Sequence, residues 1–236
     1  MEGYPRCCFS RRYRPNMNGN CEDSQDRYAA LRERMVEAQL EARGIRDRRV
    51  LEAMRRVPRE RFVPSNARRQ AYADRPLPIG GGQTISQPYM VAAMLEALDC
   101  AAEHRALEIG AGSGYQAALL GELCTEVRAV EIVEDLAHRA REILMDLDYE
   151  NVHIEVGDGT QGLPEYAPYD RIIVAAAAPE VPEPLIEQLA DGGRVVIPVG
   201  GRLSQRLTII DREDDELKRS EQMPCMFVPL VGKHGW

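Results

Sequence analysis

Between residues 105 and 199 short apolar runs alternate with stretches of helical periodicity. The runs are Ala106–Ile109, Val127–Ile132, Val152–Val156, Arg171–Ala175 and Arg194–Val199, and the helical stretches lie near 115–123, 134–147 and 183–190. Runs apolar on both sides of the pleat belong to strands buried on both faces, and strands separated by helices pair in parallel. The spacing therefore predicts an α/β fold, a doubly wound and mostly parallel sheet. Arg206–Asp211, Leu217–Gln222 and Cys225–Leu230 follow one another with no helix between them, so antiparallel strands are expected to close it.

Upstream of residue 100 the pattern is helical. Leu31, Met35, Ala38 and Ala42 recur at the spacing of one helix face before Gly44, a natural stop. A second short helix is expected from the cap Asp47, burying Val50, Leu51, Met54 and Val57 and ending at Pro58. Ser86 and Pro88 read as cap and first-turn proline of a third, burying Val91, Met94, Leu95 and Leu98. Before that third helix, 58–87 is a long polar segment rich in Pro and Gly, expected to be a binding loop or a linker. Residues 1–24 lack periodicity and are expected to be a flexible extension of one domain, 25–236, with helices and loop in 25–100 and the α/β core in 101–236.

Composition narrows the classes. A formal charge of −8 offers no global attraction to nucleic acid or anionic membranes. No apolar run approaches the ~18 residues of a membrane span and the N-terminus lacks a signal-peptide core, so a cytoplasmic protein is expected, with neither nucleic acid nor membrane as partner. The six cysteines show no C-x-x-C pair and the four histidines do not cluster, so no metal site is expected.

The candidate chemistry centres on Leu107–Tyr115, LEIGAGSGY, a strand running into a glycine turn and then a helix. Gly110, Gly112 and Gly114 let a ligand approach backbone, and the helix N-terminus faces the same place. Glu131 ends the next strand 21 residues beyond Gly110, where a carboxylate can accept from ribose hydroxyls. Tyr115 stands where a dinucleotide fingerprint has its third glycine. Asp158, in VGDGT, ends the following strand, and Glu108 sits within the first. Acids around a nucleoside pocket disfavour phosphates and suit a cationic ligand, which S-adenosylmethionine is. The plain alternative is that these acids are strand-end polar residues and Ser86 an ordinary cap.

The chain resembles the bacterial protein-L-isoaspartate O-methyltransferases, class I S-adenosylmethionine-dependent enzymes of Rossmann-like fold. The likeness runs from about Arg32 to Leu230 through RERMVEAQLEARGI, VLEAMRRVPRERFVP, AYADRPLPIGGGQTISQPYMVAAMLEAL, LEIGAGSGYQAALL, GDGTQGLPEYAPYDRIIVAAAAPEVP and GGRVVIPVG. The glycine turn alone indicates a class I methyltransferase; GGGQTISQP before it is specific to this family. The resemblance implies that Gln83–Pro88 closes over the methyl donor, that Ser86 is the active-site residue, and that Glu108, Gly110, Glu131, Asp158 and Gly159, with Thr84 and Gly112, hold the cofactor. It implies isoaspartyl proteins and peptides as substrates, methylated at the misplaced α-carboxylate to give an ester that collapses to a succinimide; a monomer is expected. A carboxylate of pKa ~4 is already ionised at pH 7 and attacks a sulfonium methyl without a general base. No G-x-S-x-G elbow surrounds Ser86, which is expected to orient the acceptor. The alternatives are an O-methyltransferase for aspartate in a biosynthetic peptide, a nicotinamide-dependent oxidoreductase, and a non-catalytic binding module.

Overall fold

The computed structural model describes residues 22–214 and 216–236, so residues 1–21 of the expected 1–24 extension lie outside the described residues, while 22–24 are helical and not part of an extension. Helix α1 (Glu22–Met35) opens the described chain and continues through a π-helical turn, Val36–Leu40, and a 3₁₀ turn ending at Gly44. The π turn corrects the expected face. The Glu41 amide reaches back five residues to the Val36 carbonyl, which inserts one residue into the helical register. Met35, Val36 and Leu40 are buried as a result, while Ala38 and Ala42 are exposed. Helix α2 (Arg48–Arg56) is as expected: Asp47 caps it by accepting from the Arg49 amide at 2.8 Å, and Val50, Leu51 and Met54 are buried.

Residues 58–87 are not one loop. They contain 3₁₀ turns at Arg59–Phe62 and Arg68–Gln70 and a hairpin of strands β1 (Leu77–Gly80) and β2 (Gln83–Ile85). Too short to show a period of two, these strands are held by tertiary contact. At the hairpin turn Gly81 adopts φ +59°, and a Cβ there would lie 3.2 Å from Val133. Helix α3 (Pro88–Leu98) buries Val91, Met94, Leu95 and Leu98, but Gln87, not Ser86, is its N-cap.

Then follow β3 (Arg105–Ile109), α4 (Tyr115–Leu123), β4 (Glu126–Glu131), α5 (Glu134–Asp146), β5 (Val152–Val156), β6 (Tyr169–Val174), α6 (Glu183–Glu187), β7 (Leu189–Gly201), β8 (Ser204–Glu213) and β9 (Glu216–Cys225). Helix α6 is shorter than expected because Leu189 already pairs with Tyr169 in the sheet. The seven-stranded sheet has the order β5-β4-β3-β6-β7-β8-β9, parallel through β7 and antiparallel beyond. Cys225–Leu230 is not the expected third antiparallel strand: β9 ends at Cys225, and beyond it only Pro229 makes a single bridge, to Ala177.

Side chains alternate strictly across the sheet. Ile173 and Val196 join the core shared with α1 to α5; Ile172, Val174, Val195 and Ile197 join the opposite one, with Leu185 of α6. Both faces are covered, which is why the strands read as continuous apolar runs. The chain runs outward from β3 to β5 and then returns to the other side of β3 as β6. Neighbouring connections diverge at the carboxyl ends of β3 and β6, leaving a crevice where ligands of such sheets bind. Among the described residues no helix is long and apolar enough to cross a membrane.

Candidate active site

The glycine turn sits at that crevice. Gly110 and Ala111 donate their amides to the Val130 carbonyl at 2.8 and 3.1 Å, which pins the turn to the end of β4. Glu131, 4% exposed, fastens it again: Oε2 accepts from the Gly112 amide at 2.7 Å and Oε1 from the Val133 amide at 2.8 Å. Each oxygen retains a lone pair for a further donor. Gly114, at φ +84°, caps α4, and a Cβ there would press on that of Ala140 at 3.0 Å, so the turn packs against α5 with no room to spare.

Glu108 is 0% exposed, and among the described residues neither carboxyl oxygen has a hydrogen-bond partner; Nε2 of Gln116 is likewise buried and unpaired there. Burial, reinforced by the nearby Glu131 charge, raises the Glu108 pKa well above the carboxylate range. A buried polar group left without partners is costly, so a donor that arrives with a ligand would relieve it.

These residues line a cleft open to solvent. The turn and strand ends form its floor, Gln83–Ser86 one wall and Val228–Val231 another, with Gly159 and Ala175 between them. A Cβ on Gly159 would stand 2.6 Å from Ile109, so only glycine leaves that corner open. Among the described residues no Lys or Arg lines the cleft, whereas Glu108 and Glu131 do. The donor set fits a ligand with hydroxyl groups and positive charge, as S-adenosylmethionine has, and would repel a pyrophosphate.

Residues 30–235 match the model of the family described as protein-L-isoaspartate(D-aspartate) O-methyltransferase. The chain belongs to this family. A protein-L-isoaspartate O-methyltransferase of Roseiflexus sp. (strain RS-1) is 56% identical over 209 residues, which cover 89% of this chain and 95% of that protein. One from Methanoculleus marisnigri (strain ATCC 35101 / DSM 1498 / JR1) is 55% identical over 205 residues, 87% of this chain and 93% of its own. Among solved structures, a protein-L-isoaspartate O-methyltransferase superposes with a TM-score of 0.79 at 32% identity over 86% of this chain and 67% of that one. A putative member from Plasmodium falciparum, in complex with S-adenosyl-L-homocysteine, gives 0.74 at 27% identity over 85% of this chain and 98% of its own.

Within this isoaspartate methyltransferase chain, the cleft brings together Thr84, Ser86, Glu108, Gly110, Gly112, Glu131 and Gly159, all singled out from sequence. Thr84 is exposed and Ser86 half-buried, both on the hairpin side. Asp158 is the exception and does not line the cleft. Its Oδ1 accepts from the Thr160 amide and hydroxyl at 3.0 and 2.7 Å, and its Oδ2 from the Lys233 amide at 2.8 Å. Burial would raise its pKa, but these hydrogen bonds outweigh burial and hold it below the usual range.

The wall at Val228–Val231 was legible only in part. From sequence Pro224–Leu230 reads most plainly as a closing strand and otherwise as lining for a substrate channel, and Pro229 cannot donate to a ladder. In the structure Gln205 takes up both main-chain groups of Phe227, donating to its carbonyl at 3.2 Å and accepting from its amide at 2.6 Å. Ala177 then receives the Leu230 amide at 2.7 Å and the Trp236 indole at 3.0 Å on its carbonyl. The segment is a strap across the strand ends.

Proposed function

We propose that this chain transfers a methyl group from S-adenosyl-L-methionine to the free α-carboxylate of L-isoaspartyl residues in damaged proteins and peptides, forming an ester that leads through a succinimide back to some normal aspartyl. Family membership supports the reaction class, and one observation carries the cofactor: a cleft that, among the described residues, is free of Lys and Arg and whose floor holds a fully buried carboxyl with both oxygens unpaired. Bound there, S-adenosylmethionine supplies a methyl group on a positively charged sulfur.

Glu108 and Glu131 set negative charge against that cation, and Glu131 keeps lone pairs for ribose hydroxyls while bracing the turn. Gly110, Gly112 and Gly159 let the ligand reach main chain, and Thr84 flanks it from the hairpin. Asp158 contributes from behind the wall, by fixing Thr160 and the strap. Ser86 orients the acceptor carboxylate through its hydroxyl. The acceptor is ionised at neutral pH, so no residue has to remove a proton, and alignment supplies the rate. A monomer in the cytoplasm remains the reading of the sequence, and among the described residues Cys100, Cys124 and Cys225 are free thiols, as a reducing compartment keeps them.

The test is incubation with methyl-labelled S-adenosylmethionine and two peptides that differ only by isoaspartate or aspartate at one position. Label in the isoaspartyl peptide alone is expected. Label in the aspartyl peptide would make the protein a methyltransferase for ordinary aspartate, and cofactor binding without transfer to either would overturn the reaction.

A further inference from the structure

Arg59 begins the 3₁₀ turn after Pro58, and it is 0% exposed, among the largest side chains fully enclosed in the protein. It belongs to no ion pair among the described residues. A buried cation without a counter-ion is among the least favourable arrangements in a protein core, and an apolar side chain of similar length would fill the space without that cost. Something that only a guanidinium supplies must offset it.

Its contacts supply the answer. Nε donates to the Ala71 carbonyl at 2.7 Å and Nη2 to the Ser86 carbonyl at 2.7 Å. The guanidinium carbon lies 4.9 Å from the ring centroid of Tyr115, the first residue after the glycine turn, and Nη1 has no hydrogen-bond partner. One rigid plane thus meets the segment before the hairpin, the residue after it, and the base of the cofactor turn. On its other side Ser86 is followed at once by the N-cap of α3. The main chain at Ser86 is therefore held from both directions while its side chain lines the cleft, which Arg59 itself does not reach.

We infer that Arg59 is a positioning residue for Ser86, fixing the Ser86 carbonyl against Tyr115 and so setting where the acceptor-orienting hydroxyl stands relative to the methyl-donor turn. The inference rests on the role given to Ser86 above. Lysine cannot replace it, because an ammonium is a point donor without the planar fork that spans two carbonyls and stacks on a ring.

The experiment compares Arg59→Met, Arg59→Lys, Ser86→Ala and the double variant Arg59→Met/Ser86→Ala. It measures kcat and KM for an isoaspartyl peptide and the Kd for S-adenosylhomocysteine by calorimetry. Arg59→Met is expected to bind S-adenosylhomocysteine within about threefold of wild type, with kcat down by about 10- to 100-fold. Arg59→Lys should recover little of that loss, and the double variant should be no slower than Ser86→Ala, since both changes remove one function. Multiplicative losses in the double variant, or wild-type kcat in Arg59→Met beside a slow Ser86→Ala, would overturn the inference alone. Wild-type kcat in Ser86→Ala would instead remove the role of Ser86 and this inference with it. Should Arg59→Met fail to fold, Arg59→Lys decides: reduced kcat at unchanged Kd supports the inference, and unchanged kcat refutes it.

Discussion

The amide of Gly112 donates to Oε2 of Glu131 at 2.7 Å, so the acid at the end of β4 is part of the glycine turn as well as of the cleft beside it. The loop anchor and the carboxylate proposed to bind ribose are one group here, and removing it is expected to disturb both.

Glu131→Ala is expected to weaken S-adenosylhomocysteine binding by about 10- to 100-fold and to lower stability by about 1–3 kcal/mol, since two half-buried amides lose their acceptor. Calorimetry and denaturant unfolding measure the two effects. Unchanged affinity would remove Glu131 from the ligand site and leave it an anchor only.

Glu108 is expected to tie ligand binding to proton release. With its pKa raised by burial and by Glu131, the carboxyl is protonated in the ligand-free cleft over a range where an ordinary carboxylate is ionised, and a bound cation favours its ionised form. Affinity for S-adenosylmethionine should therefore rise as pH rises through that elevated pKa. Calorimetry in buffers of different ionisation enthalpy should detect a released proton in wild type and none in Glu108→Gln; equal signals in both would refute the coupling.

Asp158 should govern the strap. Its folded pKa is depressed, so its stabilisation is fully present above the ordinary carboxylate value of about 4 and is lost as pH falls through the lower folded value. Asp158→Ala removes the acceptor of the Lys233 amide at neutral pH. Faster hydrogen exchange at residues 230–236 and a higher KM for the peptide substrate are expected, with little change in the Kd for S-adenosylhomocysteine. A large change in that Kd with an unaltered strap would return Asp158 to the ligand site.

The register of the first helix is open to a paired test. Leu40→Ala, on the face created by the π turn, should cost about 2–5 kcal/mol. Ala38→Ser, on the face the periodicity favours, should stay within about 0.5 kcal/mol. Denaturant midpoints measure both, and the reverse ranking would restore an uninterrupted α-helix.

The sheet and its turn were legible because their signals are local. Strands buried on both faces need apolar side chains at nearly every position, as at Ile172–Val174, and the glycines between β3 and α4 follow from backbone approach. Glu131 was found because strand length and turn spacing place it at the crevice. The π turn at Val36–Leu40 left no such mark. A one-residue change of register is decided by which side chains the neighbouring helices can bury, and Ala38 and Ala42 are small enough to suit either face.

By itself the sequence determined the fold class, the family, the glycine turn and several of the residues that line the cleft, since each depends on periodicity or on motif spacing along a short stretch of chain. Tertiary structure decided that Asp158 holds the strap, that Val228–Val231 form a wall, and that a buried Arg59 grips the carbonyl of Ser86. Those contacts join residues far apart in the chain: 75 positions separate Asp158 from Lys233 and 27 separate Arg59 from Ser86. A hydrogen bond to a main-chain group asks nothing of its partner's side chain, so composition carries no trace of it until the fold brings the two together.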